Sequence, residues 1–336
     1  MCKGSFRSIR RSKRRVSECL KDSAANVLIL RRFAGWLTSQ RQNGPTTAER
    51  LGFGRDARLL IINADDFGLC EEQNLATITG LQSGLLSSAS VMVPCAAFGE
   101  TCDYARRHPE ADLGVHLTLS SEWEVHRWKP VLDKEKVRSL TDADGYFRRT
   151  RAEVLSSCRP EEAEAELRAQ IEGALAAGLD VTHLDSHMFV LHSRRVDLQR
   201  LYLRLAHNYS LPLRAARRTL SHWYGFHSVP DEADRFRILH ADNFAVLSRV
   251  RPSHAVAFWS AVLRNLPRGL TEICCHPAYA SGELARFSED APQRQADFEF
   301  FTSERARRII QAEGIELVGY RLLRDAMRSN DEKQRL

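Results

Sequence analysis

The sequence predicts an α/β protein, a distorted (β/α) barrel of the TIM type in a single domain with long loops on its active face. Three observations predict it. From Arg58 onward short apolar runs alternate with helical patterns, as βα units require. Four segments carrying polar Asp, His or Asn residues follow directly on apolar runs, at the C-terminal strand ends where barrels build their sites. No G-x-G-x-x-G follows a strand, which counts against the alternative, an open doubly wound dinucleotide-binding sheet.

The elements follow in order. Residues 59–62, Leu-Leu-Ile-Ile, read as a buried strand and 71–80 as a helix. A second strand spans 89–93, a helix 96–107, and a third strand lies within 112–119. Residues 161–177 are rich in Ala, Glu, Leu and Arg and predict a helix closed by Gly178. A strand at 181–184 and a helix at 196–207 come next, then a strand at 270–275. Residues 294–313 predict one helix ending at Gly314, with a last strand at 315–318 and a short C-terminal helix.

Composition bounds the rest. The chain has 336 residues, 43% hydrophobic and 27% charged, which suits a globular protein and excludes collagen-like, mostly disordered and multi-span membrane classes. The net charge of +6 is uneven: residues 1–56 hold 13 Lys+Arg against 4 Asp+Glu, leaving the body slightly acidic. The basic character therefore belongs to an N-terminal extension, 1–56, expected to be flexible, with 24–40 weakly amphipathic. The barrel is expected over 57–328, with a polar tail at 329–336. The body lacks a basic stripe with interleaved aromatics, so no specific nucleic-acid partner is expected. No run of 18 or more apolar residues exists to span a bilayer. None of the eight cysteines forms C-x-x-C; they read as reduced, mostly buried thiols of a cytoplasmic protein.

The chemistry concentrates in four segments: Asn63-Ala64-Asp65-Asp66-Phe67-Gly68, Gly114 to Leu119, Thr182 to His187, and Cys274-Cys275-His276-Pro277. In a strand Asp65 and Asp66 point oppositely, but a relaxed strand end with Gly68 as exit lets both face one site. Two adjacent carboxylates repel unless a cation offsets them, which invites a metal on one and proton transfer on the other. A helix-capping Asp is the bland alternative. His183, Asp185 and His187 are spaced to project from one side of an extended segment. His and Asp both bind Zn²⁺-like ions, and a neighbouring carboxylate can fix an imidazole's tautomer. His116, between Val115 and Leu117, is by itself as consistent with a core histidine. Together, one Asp and two His with open positions form a hydrolytic or oxygenase-type site, with a second Asp as base and a further His as acid.

The order NADDFG, GVHLTL, THLDSH, CHP resembles the YdjC/ChbG-like carbohydrate deacetylase family from about Leu59 to Arg321. The resemblance implies a distorted (β/α) barrel that removes N-acetyl groups from amino sugars or glycoconjugates with one divalent metal, Mg²⁺ or Zn²⁺. It implies Asp66, His116 and His187 as metal ligands, Asp65 as general base and His276 as general acid. Where many members carry a further histidine after the last ligand, this chain continues Met188-Phe189, with the next histidine at His192. A metal hydrolase of another amide or phosphoester, and a non-catalytic glycan-binding barrel, are the alternatives; a homodimer is compatible with either. Aromatics of the long segments 120–155 and 219–253 serve either as sugar-stacking faces or as loop packing.

Overall fold

The computed structural model describes residues 44–220, 226, 228–246 and 251–335. Eight parallel strands form one sheet: β1 (Arg58–Phe67), β2 (Ser88–Val91), β3 (Leu113–Leu117), β4 (Val181–Ser186), β5 (Arg218–Thr219), β6 (Asn243–Val246), β7 (Gly269–Cys275) and β8 (Glu316–Leu317). Their order is β4-β3-β2-β1-β7-β6-β5, with β8 beside the start of β1. The segment after β4's crossover helix closes the curl. Leu184 N donates to Pro212 O and Arg214 N to Leu184 O, while Leu220 N donates to Phe244 O on β6. The result is the distorted barrel the sequence predicts.

Helices cover the outside. In chain order they are α1 (Thr47–Arg50), α2 (Glu71–Gln82), α3 (Phe98–Arg107), α4 (Arg151–Ser157), α5 (Pro160–Ala176), α6 (Val196–Asn208), α7 (Val229–Arg235) and α8 (Ala255–Arg264). α9 (Leu284–Phe287), α10 (Ala291–Phe301), α11 (Glu304–Ala312) and α12 (Tyr320–Arg335) complete the set among the described residues. The single helix expected over 294–313 is two. Ser303 has extended backbone and its side chain accepts from Ala306 N, which caps a new helix and ends the old one.

The packed body begins before residue 57, the boundary read from charge. Thr47 N donates to both Asp242 carboxylate oxygens at 3.1 and 3.0 Å, and Thr47 Oγ1 donates to His240 O. Ala48 packs with Leu59, Ile61, Leu270, Tyr320 and Leu323, so α1 and α12 plug the N-terminal end of the barrel. Charge composition placed 44–56 with the extension because it says nothing about this plug; residues 1–43, the amphipathic stretch included, lie outside the described residues.

Along β1 the side chains divide by alternation. Leu60, Ile62 and Ala64 join the large apolar core under the helices. Asn63 and Asp65 are buried on the other face, within the barrel, where they meet Ser90, Arg214 and, through Arg214, Glu272. Apolar packing plugs one end of the barrel, and hydrogen-bonded charge fills its upper half.

Candidate metal centre

Asp65 and Asp66 end β1. Asp66 has φ 66°, and the β1–β2 register shifts between Ala64 and Phe67. This bulge turns the second carboxylate to the side of the first. A left-handed backbone at a non-glycine residue costs of the order of 1–3 kcal/mol and persists where its surroundings over-determine it. Here Gln73 Nε2 donates to Asp65 O at 2.8 Å, Gly68 N to Asn74 Oδ1 at 2.6 Å, and Met92 N to Phe67 O at 2.8 Å. Gly68 itself sits at φ 103°. Neither Asp caps α2, whose N-cap is Cys70 without a side-chain bond.

Asp66 Oδ1 lies 3.3 Å from His116 Nε2 and 3.2 Å from His187 Nδ1, and those two nitrogens are 3.2 Å apart. The partners on the far side of each ring assign its tautomer. His116 Nδ1 donates to Asp185 Oδ1 at 2.7 Å, and His187 Nε2 donates to Glu122 Oε2 at 2.9 Å. With both imidazoles neutral, as a bound cation requires, each lone pair faces Asp66 Oδ1, a buried oxygen with no aligned hydrogen-bond donor. Three acceptors facing one point repel, and a cation among them turns repulsion into coordination. The N,N,O donor set with carboxylates behind both rings fits a divalent ion.

The same field acts on protons. Burial lowers the basicity of His116, but Asp185 and Asp65 outweigh it and raise its pKa to about 10. For His187 burial is overcome by Glu122 and Asp66, and the pKa rises to about 9. Burial pushes the Asp66 carboxyl up, while Arg294, 2.8 Å away, and the two histidines hold it well below the ordinary range. A point that draws positive charge this strongly suits a metal ion as well as it suits protons.

Asp65 is held differently. Arg214 grips it with two parallel bonds of 2.6 Å, and Asn63 Nδ2 donates to it at 2.8 Å. Burial alone would raise this carboxyl; Arg214 and then His116 keep it ionised and strongly lowered. Arg214, fully buried, also reaches Asp185 at 3.0 Å and Glu272 at 2.7 Å. One carboxylate oxygen of Asp65, Cys274 Sγ and one ring nitrogen of His276 all lie within 4.8 Å of one another. His276 is fixed through its backbone, whose N–H donates to Asp297 at 3.3 Å; Trp259 Nε1 anchors Asp297 from behind at 2.9 Å.

Asp65, Asp66, His116, His187 and His276 all line one cleft of about 960 Å³, so the structure brings the five sequence-predicted site residues together. His183 is not among them. It is fully buried below the site and stacks on Tyr320 at 3.9 Å, because β4 ends at Ser186 and only His187 leaves the strand into the cleft. Met188 and Phe189 line the wall beside it, while His192 is buried with Nε2 donating to Arg214 O. The aromatics also divide: Trp128, Phe147 and Phe226 are buried packing, whereas Trp123 and Phe287 face the cleft. Trp223, Tyr224 and His227 lie outside the described residues.

Sequence reasoning missed Arg214, Arg294 and Glu122. A guanidinium in the apolar run Leu211-Pro-Leu-Arg-Ala-Ala was the available signal for the first. Arg294 and Glu122 sit among other charged or polar residues and gave none.

A family model described as YdjC-like protein matches residues 59–312. The chain belongs to the YdjC-like family. Among its relatives, a Thermus thermophilus protein named carbohydrate deacetylase is 35% identical over 279 residues, covering 78% of this chain and 92% of that one. A Brevibacillus brevis protein of the same name is 33% identical over 270 residues, covering 78% and 98%. A crystal structure from Enterococcus faecalis, described as a proposed cellobiose-phosphate cleavage protein, superposes with a TM-score of 0.67 at 28% identity over 79% of this chain and 98% of that one. The YdjC-like match starts at the first barrel strand, so the family region and the barrel start together.

Proposed function

We propose that this chain is a metal-dependent N-deacetylase that hydrolyses the acetamide of an N-acetylated sugar or glycoconjugate. The observation that carries the reading is the convergence of Asp66 Oδ1, His116 Nε2 and His187 Nδ1 on one point, beside Asp65 and His276. The carbohydrate deacetylase relatives support a sugar acetamide as the substrate. Two imidazoles favour Zn²⁺ or a similar transition metal over Mg²⁺, which prefers oxygen donors. The described cysteines are all unpaired, which supports a cytoplasmic location.

A divalent ion held by Asp66, His116 and His187 supplies polarisation of the acetamide carbonyl and acidification of water. The chain's own groups do the rest. Asp65, kept ionised and aligned by Arg214, accepts the proton of the attacking water. His276, on the same side of the cleft floor, donates a proton to the nitrogen as the C–N bond breaks. The products are acetate and a free amine. Cleft walls at Trp123 and Phe287 offer aromatic surface for sugar rings.

The test is acetate release from N-acetylhexosamine oligomers, with and without chelator. His116→Ala and His187→Ala should each lose metal and turnover. Asp65→Asn should keep the metal and lose about 10²–10⁴ in rate, the usual worth of a proton-transfer group. Acetate release that survives complete metal removal, or full activity in Asp65→Asn, overturns the reading.

A further inference from the structure

We infer that Glu122 is a positioning residue: from the loop after β3, its carboxylate holds the far nitrogen of His187 and so aims Nδ1 at the cation. The inference deepens the metal reading above and rests on it. His116 and His187 are supported in different ways. His116 lies inside β3, with Asp185 on β4 at 2.7 Å and Ser90 on β2 at 3.3 Å. His187 lies one residue past β4, ahead of two left-handed residues, Met188 (φ 50°) and Phe189 (φ 52°). No ladder partner fixes its ring. Among the described residues, the far nitrogen is bonded only to Glu122 Oε2, at 2.9 Å.

Glu122 comes from 65 positions earlier in the chain. Its loop is anchored on both sides of it. Ser121 N donates to Arg148 O at 3.0 Å, Trp128 N donates to Ser121 Oγ at 3.1 Å, and Arg149 Nε reaches Glu122 O. The Trp128 ring stands edge-on to His187 with centroids 5.9 Å apart, so the loop bounds the imidazole plane as well as its nitrogen. Glu122 is not itself a ligand, because its oxygen meets the nitrogen that faces away from Asp66 and the ring lies between. A carboxylate in this place fixes ring orientation and raises ligand basicity, effects whose loss commonly costs 10–100-fold in metal affinity. The wall of the substrate cleft thereby carries part of the metal site: Trp123, the next residue, faces the same cleft.

The experiment measures Zn²⁺ and Mn²⁺ affinity of the full chain for wild type, Glu122→Ala, Glu122→Gln and His187→Ala, with Co²⁺ absorption as a report of ligand geometry. Glu122→Ala should weaken binding about 10–100-fold and alter the Co²⁺ spectrum, with an unchanged melting temperature in chelator. Glu122→Gln, whose amide oxygen accepts the same N–H, should recover most of the affinity and the wild-type spectrum. His187→Ala should lose more than either. Wild-type affinity and spectrum in Glu122→Ala overturn the inference, as does a Glu122→Gln protein no better than Glu122→Ala. A wild-type chain that binds no divalent ion overturns the metal reading itself, and this inference with it.

Discussion

Arg214 organises the site at the scale of a single residue. It is fully buried and spans Asp65, Asp185 and Glu272, which links the proposed base, the partner of one metal ligand and a core carboxyl. Burial pushes the Glu272 carboxyl up, and Tyr320 donates to it at 2.6 Å. Removing one partner of a buried pair leaves the others uncompensated, at a cost of about 3–5 kcal/mol. Arg214→Met should therefore lower stability by about that amount and abolish turnover, because Asp65 loses both charge and alignment. Arg214→Lys keeps a charge but not the two-pronged grip. It should retain more stability than Arg214→Met while still losing most of its turnover. Denaturant midpoints beside acetate-release rates check this, and an Arg214→Lys protein of wild-type rate would show that alignment is unimportant.

At the scale of elements, what was legible depended on how far a pattern runs. β1, β3, β4 and β7 lie in the sequence as apolar runs ending in polar motifs, so both the strands and the site at their C-terminal ends could be read. β5 and β6 lie at the edge of and within the segment 219–253, whose length and scattered aromatics read as a loop, so neither strand was foreseen. The bulge at Asp66 was foreseen only as a relaxed strand end; that the residue's own backbone is left-handed is set by tertiary bonds from Gln73, Asn74 and Met92. Gly114 shows another contact that sequence cannot display. A Cβ there would stand 2.4 Å from Cε1 of the His183 ring, itself fixed against Tyr320. Gly114→Ala should cost about 1–3 kcal/mol, as overpacking does. It should also weaken metal binding, because β3 must shift and His116 follows two residues on. Unchanged stability and metal affinity in that variant would mean that the ring has room to move.

Across the whole molecule the polar barrel interior sets the response to acid. His183 and His192 are buried with one unpartnered nitrogen each, and burial, the largest influence on both, lowers each pKa to about 3. The unfolded chain takes protons on them near pH 6.5, and the folded chain does not. Their contribution is thus complete above pH 6.5 and is lost as pH falls toward 3. Asp112 works the other way. Burial raises its carboxyl to about 6 against bonds from Thr182 and Arg321, so between about pH 4 and 6 the folded chain holds the extra proton. It offsets one histidine over that window. The two histidines lower stability as pH falls, and Asp112 opposes them together with the buried carboxyls of Glu166, Glu272 and Asp297, which burial also raises. Asp112→Asn removes the offset and should steepen the loss, while His192→Gln should flatten it. Urea midpoints at pH 7, 6, 5 and 4 for the three proteins measure both slopes, and a wild-type slope in both variants would remove Asp112 and His192 from the acid response.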